Sequence, residues 1–185
     1  MTTIQTEVKS NRGVDIPGAE ATIARAMLNE FEQELSTTRK FLERVPEDKL
    51  TWQPHPKSMT AGQLALHIAQ TPARALDLCR GDQEEVPGTT REQPATLRVI
   101  LHALDRSAAH LRETLPGISD ERMHQSFSIL QNGRIIMSLP RAAFLRSIML
   151  NHWYHHRGQL GVYLRLLGAK VPSSYGPSGD EAMGG

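Results

Sequence analysis

The sequence is poor in the features that mark several specialised classes of protein. It has one cysteine, Cys79, in 185 residues, so an internal disulfide is excluded, and the apolar periodicity around it predicts a buried, inert thiol in a reducing compartment. Lys and Arg (21) nearly balance Asp and Glu (20), and there is no basic block, which argues against a nucleic-acid partner. No uncharged apolar run is long enough to span a bilayer, and the first residues lack the apolar stretch of a signal peptide. We therefore expect a cytoplasmic protein with no membrane partner.

Common catalytic motifs are missing as well. The chain has no G-x-S-x-G around a nucleophilic serine, and no glycine-rich loop of the G-x-G-x-x-G or Walker type that would bind phosphates. Its composition is nevertheless that of a folded protein, with 39% hydrophobic and 22% charged residues. The length fits one compact domain.

Apolar residues recur at intervals of three or four in four segments, which predicts four amphipathic helices. The first stripe runs from Ile23 to Val45, ahead of Pro46. The second begins with a capping box of Thr60 and Gln63 and contains Pro72, which can kink it. In the other three helices, the residues expected to face the core are Leu64, His67, Ile68, Thr71, Ala75 and Leu78 in helix two, Leu97, Leu101, Leu104, Ala108, Leu111 and Leu115 in helix three, and Leu145, Met149, His152, His156, Leu160, Tyr163 and Leu167 in the last helix.

Other segments break this pattern. Residues 81–90 are acidic, contain glycine and proline, and predict a loop. Around Asn132 and Gly133 the apolar residues alternate instead, which predicts a small β-hairpin, and Pro140 is expected in the first turn of the last helix. We predict an all-α four-helix bundle with a small β-hairpin before the last helix, made of a flexible lead-in (1–18), the bundle (19–171) and an irregular tail (172–185).

Histidines lie on the apolar faces of two of these helices. His67 falls on the stripe of helix two, and His152 and His156 fall on the stripe of the last helix. Four residues advance a helix by about 6 Å and about 400°, so His152 and His156 lie one above the other and can bind a single ion. Neutral imidazoles suit zinc, nickel or iron, and a third ligand has to come from a neighbouring helix, for which His67 is the natural candidate.

Alternatives remain open at this point. An H-x-x-x-H pair also arises by chance, with each histidine simply hydrogen-bonded in the core. His155 lies three residues after His152 and can replace His156 in the pair. Trp153 occupies the position that a glutamate holds in H-E-x-x-H zinc proteases, so a peptidase of that type lacks its base. Gln63, Asn151 and Gln159 lie within a turn of a histidine and can accept the second ring N–H of a ligand. The remaining histidines are expected in solvent: His55, His102, His110 and His124.

Two longer segments carry a resemblance to a known family. They are LTWQPHPKSMTAGQLALHIA at residues 50–69 and MLNHWYHHRGQLGVYLRLLGAKVPSSYGPSGDE at residues 149–181, and HHRGQL is the most specific part. With these segments the chain resembles the DinB superfamily, the DinB/YfiT-like metal-dependent four-helix bundles. The resemblance implies that a divalent metal is bound by His67, His152 and His156, since the second histidine of the pair directly precedes R-G-Q, and that His155 is a neighbour.

The resemblance also implies a class of activity. Members of the superfamily are similar to thiol S-transferases that use low-molecular-weight thiols, to thiol-dependent isomerases and to metal-dependent hydrolases, and many are homodimers. We therefore expect a homodimer with a small-molecule substrate, such as a low-molecular-weight thiol, in which a metal with a free position activates a thiol or water. The alternative is a metal-binding stress-response bundle without catalysis, with the site closed by His155, Asn151 or a tail carboxylate such as Asp180.

Overall fold

The computed structural model describes residues 22–86, 88 and 91–182. The predicted lead-in, residues 1–18, lies outside this part of the chain. The structure is mostly helical with a small sheet. Its helices and strands are, in chain order, α1 (Ile23–Glu43), α2 (Ala61–Leu78), β1 (Gln83–Glu85), α3 (Leu97–Thr114), α4 (Asp120–His124), β2 (Ser126–Gln131) and β3 (Arg134–Pro140). A last helix follows and has three parts: α5 (Arg141–Phe144), a π-helical segment (Leu145–Asn151) and α6 (His152–Leu166). No helix in the described ranges is both long and apolar enough to cross a membrane.

Helix α1 begins and ends where the sequence provides signals for it. The Thr22 side chain accepts a hydrogen bond from the backbone N–H of Arg25, which caps the first turn. The predicted stripe faces the core, and Phe31 and Leu42 are fully buried. The helix stops at Glu43, shortly before Pro46, which has no N–H to continue the ladder.

Helix α2 carries the predicted capping box. The hydroxyl of Thr60 accepts from the N–H of Gln63, and the Gln63 side chain accepts from the N–H of Thr60. The helix continues through Pro72 to Leu78. Cys79 follows it with 3% exposure, and burial raises the pKa of its thiol to about 11, as expected for an inert cysteine.

The hairpin lies where the alternating pattern predicts it. β2 and β3 are antiparallel, and the turn residues Asn132 and Gly133 have φ values of 53° and 72°, the left-handed values that a tight hairpin turn requires. Phe127 and Ile129 face the core, and Phe127 packs on Phe144 of the last helix with ring centroids 4.9 Å apart.

The loop predicted for residues 81–90 is wrong in part. Gln83–Glu85 form a strand that pairs in parallel with β2, giving a three-stranded sheet in the order β1, β2, β3. All three strand residues are exposed and polar, so no apolar alternation marks the strand in the sequence. Its pairing depends on the tertiary structure that brings it beside β2.

A buried arginine fixes this region. Arg141, at the start of the last helix, is 2% exposed. Its guanidinium donates to the Asp82 carboxylate at 2.6 Å and to four backbone carbonyl oxygens, those of Cys79, Gly81, Gln125 and Ser126. These bonds join the end of α2, the start of β1 and the start of β2. Four of the five acceptors of Arg141 are backbone carbonyl oxygens. This position therefore requires a long side chain with several N–H donors, which arginine provides.

The last helix differs in two respects from the sequence-based expectation. Pro140 precedes the first turn instead of occupying it. Residues Leu145–Asn151 form a π-helical segment, which no simple three-and-four spacing predicts. This segment lies directly before His152, and π-helical turns are frequent at functional sites. The helix ends at Leu166, and Gly168 follows with a φ of 72°.

The tail forms no helix or strand over residues 172–182, but specific side chains hold it on the helices. The Arg165 guanidinium donates to the carboxylate of Asp180 at 2.7 Å, and Arg44 pairs with Glu181 at 2.9 Å. Arg157 lies over the ring of Tyr175, with its guanidinium carbon 5.1 Å from the ring centroid. The tail therefore covers one side of the last helix.

Candidate metal centre

Two packed helices position the three predicted histidines. His67 lies near the middle of α2, and His152 and His156 lie one turn apart at the start of α6. Helix α2 packs against both the π-helical segment and α6. The three side chains therefore project from two facing helices into the space between them.

One ring nitrogen of each histidine lies close to a ring nitrogen of the other two. The Nε2 atom of His152 lies 3.1 Å from Nε2 of His67 and 3.1 Å from Nε2 of His156. The ligand atoms of all three residues lie within 4.8 Å of one another. The ring planes of the three pairs are nearly perpendicular, with angles of 85° to 88°. The three ring nitrogens therefore border a shared volume.

This spacing fits a single divalent ion. Metal–imidazole bonds are about 2.0 to 2.1 Å long, so two ligands separated by about 90° to 110° at one ion have nitrogen atoms about 2.8 to 3.4 Å apart. The two 3.1 Å separations in the structure fall in this interval. The donor set, three neutral imidazoles, is also one that zinc, nickel and iron accept.

A glutamine fixes the tautomer of one ring. The Nδ1 atom of His156 lies 2.8 Å from Oε1 of Gln159, which can only accept, so the ring donates from Nδ1 and keeps the Nε2 lone pair free. Of the three polar residues singled out near the histidines, Gln159 is the one that contacts a ring. Gln63 is used in the α2 capping box, and Asn151 is exposed.

Burial keeps the imidazoles neutral. Desolvation, with smaller contributions from the charges of His156 and His152, lowers the pKa of His67 to about 4. Desolvation also lowers the pKa values of His152 and His156, and the Gln159 hydrogen bond opposes this effect in His156. At neutral pH the rings are therefore unprotonated, which is the form that binds metal.

The structure separates His155 from His156, which spacing alone does not. His156 is 9% exposed and joins the cluster, whereas His155 is exposed on the outside of the helix. The other candidates for a closing ligand also lie elsewhere, since Asn151 is exposed and Asp180 is bound to Arg165 and to the N–H of Val171. Among the described residues no further histidine, cysteine or carboxylate belongs to the cluster.

The cluster opens into a cleft that Thr71, predicted to face inward, lines together with two arginines that the sequence-based prediction missed. Thr71 donates to the His67 carbonyl oxygen at 2.7 Å, and its hydroxyl oxygen lies 3.4 Å from Nε2 of His67. Arg74 and Arg91 also line the cleft. Spacings of four and seven residues from His67 place Thr71 and Arg74 on the face of His67, so helix periodicity can find them. No local signal places Arg91 there.

The remaining histidines lie away from the cluster. His55, His102 and His124 are exposed, in accordance with the prediction. His110 is half-buried and lies 2.9 Å from a carboxylate oxygen of Asp77, so it is engaged in a pair.

Comparisons with known proteins agree with this fold. A sequence model of the DinB family matches residues 19–183. The chain is 22% identical over 158 residues to the uncharacterized protein YrdA of Bacillus subtilis strain 168, and the matched region covers 83% of this chain and 89% of YrdA. It is similar to the crystal structure of a DinB-like protein from Bacillus cereus ATCC 10987, with a TM-score of 0.65, 23% identity and coverage of 80% of this chain and 95% of the other. It is also similar to the DinB-like protein YjoA of Bacillus subtilis, with a TM-score of 0.60, 20% identity and coverage of 80% and 96%. The match to the family model spans most of the sequence, and the chain therefore belongs to the DinB family.

Proposed function

We propose that this protein is a metal-dependent enzyme, a thiol S-transferase or a hydrolase, with its metal bound by His67, His152 and His156. The observation that supports this proposal most directly is the convergence of three Nε2 atoms, with two separations of 3.1 Å, between two helices. When bound, a divalent ion with a free position lowers the pKa of a water molecule or stabilises a thiolate.

The protein's own residues have separate roles in this proposal. Two helices hold the rings at a fixed separation, and Gln159 holds the Nδ1 proton of His156. Thr71 has its hydroxyl proton directed to the His67 carbonyl, so its oxygen can accept a hydrogen bond from a group bound beside His67. The cleft next to His67 and His152 gives a small molecule access to this side.

The alternative is a structural site in which the metal braces α2 against the last helix without catalysis. Such a site is normally closed by a fourth protein ligand. Within the described ranges the structure offers none, because His155 and Asn151 are exposed and Asp180 is held in the tail. The open cleft and the three-ligand set favour the enzyme.

Activity measurements with a matched pair of variants test this proposal. The protein is loaded separately with zinc, nickel and iron(II), and assayed with a panel of low-molecular-weight thiols and electrophiles and with ester and amide substrates. We expect turnover in the wild type and in His155→Ala, and none in His152→Ala. Absence of turnover above the His152→Ala background with every metal contradicts the catalytic proposal and leaves the structural site.

The assembly around the site is a further part of this proposal. We interpret the four long helices as a four-helix bundle, with the metal bound between the second and the last. We also propose that the protein acts as a homodimer, for which the exposed Val162 and Leu166 on the outer face of α6 provide apolar surface. Light scattering measures the oligomeric state, and a monomer contradicts the homodimer.

A further inference from the structure

The histidine cluster borders a cleft of about 710 Å³. Helix α2 contributes one wall with His67, Thr71 and Arg74, and the last helix contributes Ile148 and His152. Arg91 lines the cleft from the segment that leads into α3. The volume is in the range of pockets that bind small molecules.

The two arginines are placed on either side of His67 along α2. Arg74 follows His67 by seven residues, two turns or about 10.5 Å, and lies on the same face of the helix. The backbone of Arg91 is held at the other end, because its carbonyl oxygen accepts from Nε2 of Gln63 at 3.3 Å, and Gln63 lies one turn before His67. A molecule beside His67 is therefore within reach of a guanidinium from both directions.

Neither guanidinium is used inside the described part of the protein. The side chains of Arg74 and Arg91 have no hydrogen-bond or ion-pair partner there, whereas other arginines, such as Arg112 with Glu32 and Arg157 with Glu34, are paired with carboxylates. Two unpaired guanidinium groups therefore line the same cleft as His67 and His152.

Two carboxylates, those of Asp77 and Glu84, also line the cleft. Asp77 is already engaged, at 2.9 Å from Nε2 of His110 and 3.7 Å from Arg80. Glu84 lies on the exposed strand β1 and has no partner among the described residues. Two free cations therefore face one free anion in the cleft.

We propose that the substrate of this site carries an anionic oxygen group, a carboxylate, phosphate or sulfonate, that Arg74 and Arg91 bind while its reactive end faces the three histidines. This inference rests on the proposed function and specifies its substrate class. Guanidinium groups bind such oxyanions through paired N–H donors, and these donors are available because neither arginine side chain has a partner among the described residues. The anionic group fixes the orientation of the molecule, which places its other end at the cluster.

Three thiols of equal length provide the probe. The anionic 2-mercaptoethanesulfonate, the neutral 2-mercaptoethanol and the cationic cysteamine share a two-carbon thiol and differ in the group at the other end. Calorimetry with zinc-loaded protein at low ionic strength measures their affinities. We expect the sulfonate to bind about tenfold more tightly than the neutral thiol, and cysteamine to bind most weakly. Added salt should reduce the difference, because both arginines are exposed.

Variants assign the preference to the arginines. Arg74→Gln together with Arg91→Gln should abolish the preference for the sulfonate, and Arg98→Gln, which removes an exposed arginine outside the cleft, should retain it. Glu84→Gln should strengthen sulfonate binding, because it removes the free carboxylate of the cleft. Equal binding of the three thiols by the wild type, or an undiminished preference in the double variant, overturns the inference.

Failure of this inference can be distinguished from failure of the proposed function. If zinc binds to the three histidines but the thiols are bound without regard to charge, the substrate class is wrong and the metal site stands. A second titration uses methanesulfonate, which has no thiol, with metal-free protein. Arginine-dependent binding of methanesulfonate by a protein that takes up no zinc supports the anion site and contradicts the metal-dependent function.

Discussion

The indole Nε1 of Trp153 donates a hydrogen bond of 2.9 Å to the carbonyl oxygen of Ile68. In a regular helix this carbonyl accepts from the N–H of residue 72, and Pro72 has no N–H. Trp153 thus supplies the donor that the proline removes. Ile68 directly follows His67 and Trp153 directly follows His152, so the bond joins the two ligand-bearing helices beside the site.

This relationship predicts a coupling between Trp153 and Pro72. Trp153→Phe leaves the buried Ile68 carbonyl without a donor, which costs about 1 to 3 kcal/mol in addition to the lost volume. In the Pro72→Ala background the backbone N–H of residue 72 replaces the donor, so the same substitution should cost less. Urea unfolding of the four proteins in a double-mutant cycle measures the difference, and purely additive effects contradict the account.

The neutral imidazoles predict how the stability of the metal-free protein depends on pH. Because burial lowers the pKa of His67 from 6.5 to about 4, the unfolded chain binds a proton in this interval that the folded chain does not. The free energy of unfolding should therefore fall as the pH drops from 6.5 towards 4, with contributions of the same sign from His152 and His156. Urea midpoints at a series of pH values measure this slope.

Two histidine variants serve as a matched pair for this measurement. His67→Asn should give a shallower slope, because it removes the group with the lowered pKa, whereas His55→Asn, at an exposed position, should leave the slope as it is. An unchanged slope in His67→Asn shows that another group is responsible. Protons also compete with the metal, so stoichiometric metal at pH ~4 contradicts an all-histidine site.

The hydrogen bond between Gln159 and His156 should affect the affinity for the metal rather than the stability of the protein. Gln159→Ala removes the acceptor for the Nδ1 proton of His156 and should weaken metal binding about 10- to 100-fold. Competition with a chelator of known affinity measures the change. Gln131→Ala, at an exposed position in the hairpin, is the control and should bind metal like the wild type. Equal affinity in both variants shows that Gln159 does not orient His156.

Arg141 predicts a large effect on stability. Arg141→Met leaves four backbone carbonyl groups without their shared donor, while Asp82 keeps its bond to Arg122, and should lower the free energy of unfolding by about 3 kcal/mol or more. The control is Arg146→Met, which removes a pair between Glu30 and a side chain that is 48% exposed, and should cost about 0 to 1 kcal/mol. Similar losses in the two variants contradict the role assigned to Arg141.

Much of the architecture is encoded in local sequence patterns. The α2 capping box, the Asn132-Gly133 turn and the apolar stripes depend on residues within a few positions of one another, and the structure contains them as expected. The positions of His67 and His156 on inward faces follow from the same periodicity.

The features that sequence patterns did not predict depend on distant contacts. β1 is polar and exists through its pairing with β2, and Arg91 reaches the cleft through the segment before α3. The π-helical segment changes which residues of the last helix lie on one face, and fixed intervals of three and four residues do not include such a change. The choice between His155 and His156 likewise needed the facing helix, because both spacings from His152 suit a helical pair.

Anomalous diffraction from crystals of the metal-loaded protein tests the central claim most directly. Data collected on both sides of the absorption edge of the bound metal locate the ion and identify its element. The account predicts one ion per chain, bound by Nε2 of His67, His152 and His156 at about 2.0 to 2.2 Å, with at least one further position not occupied by a protein atom. An ion at another place, one bound through His155, or a site closed by a fourth protein ligand contradicts it.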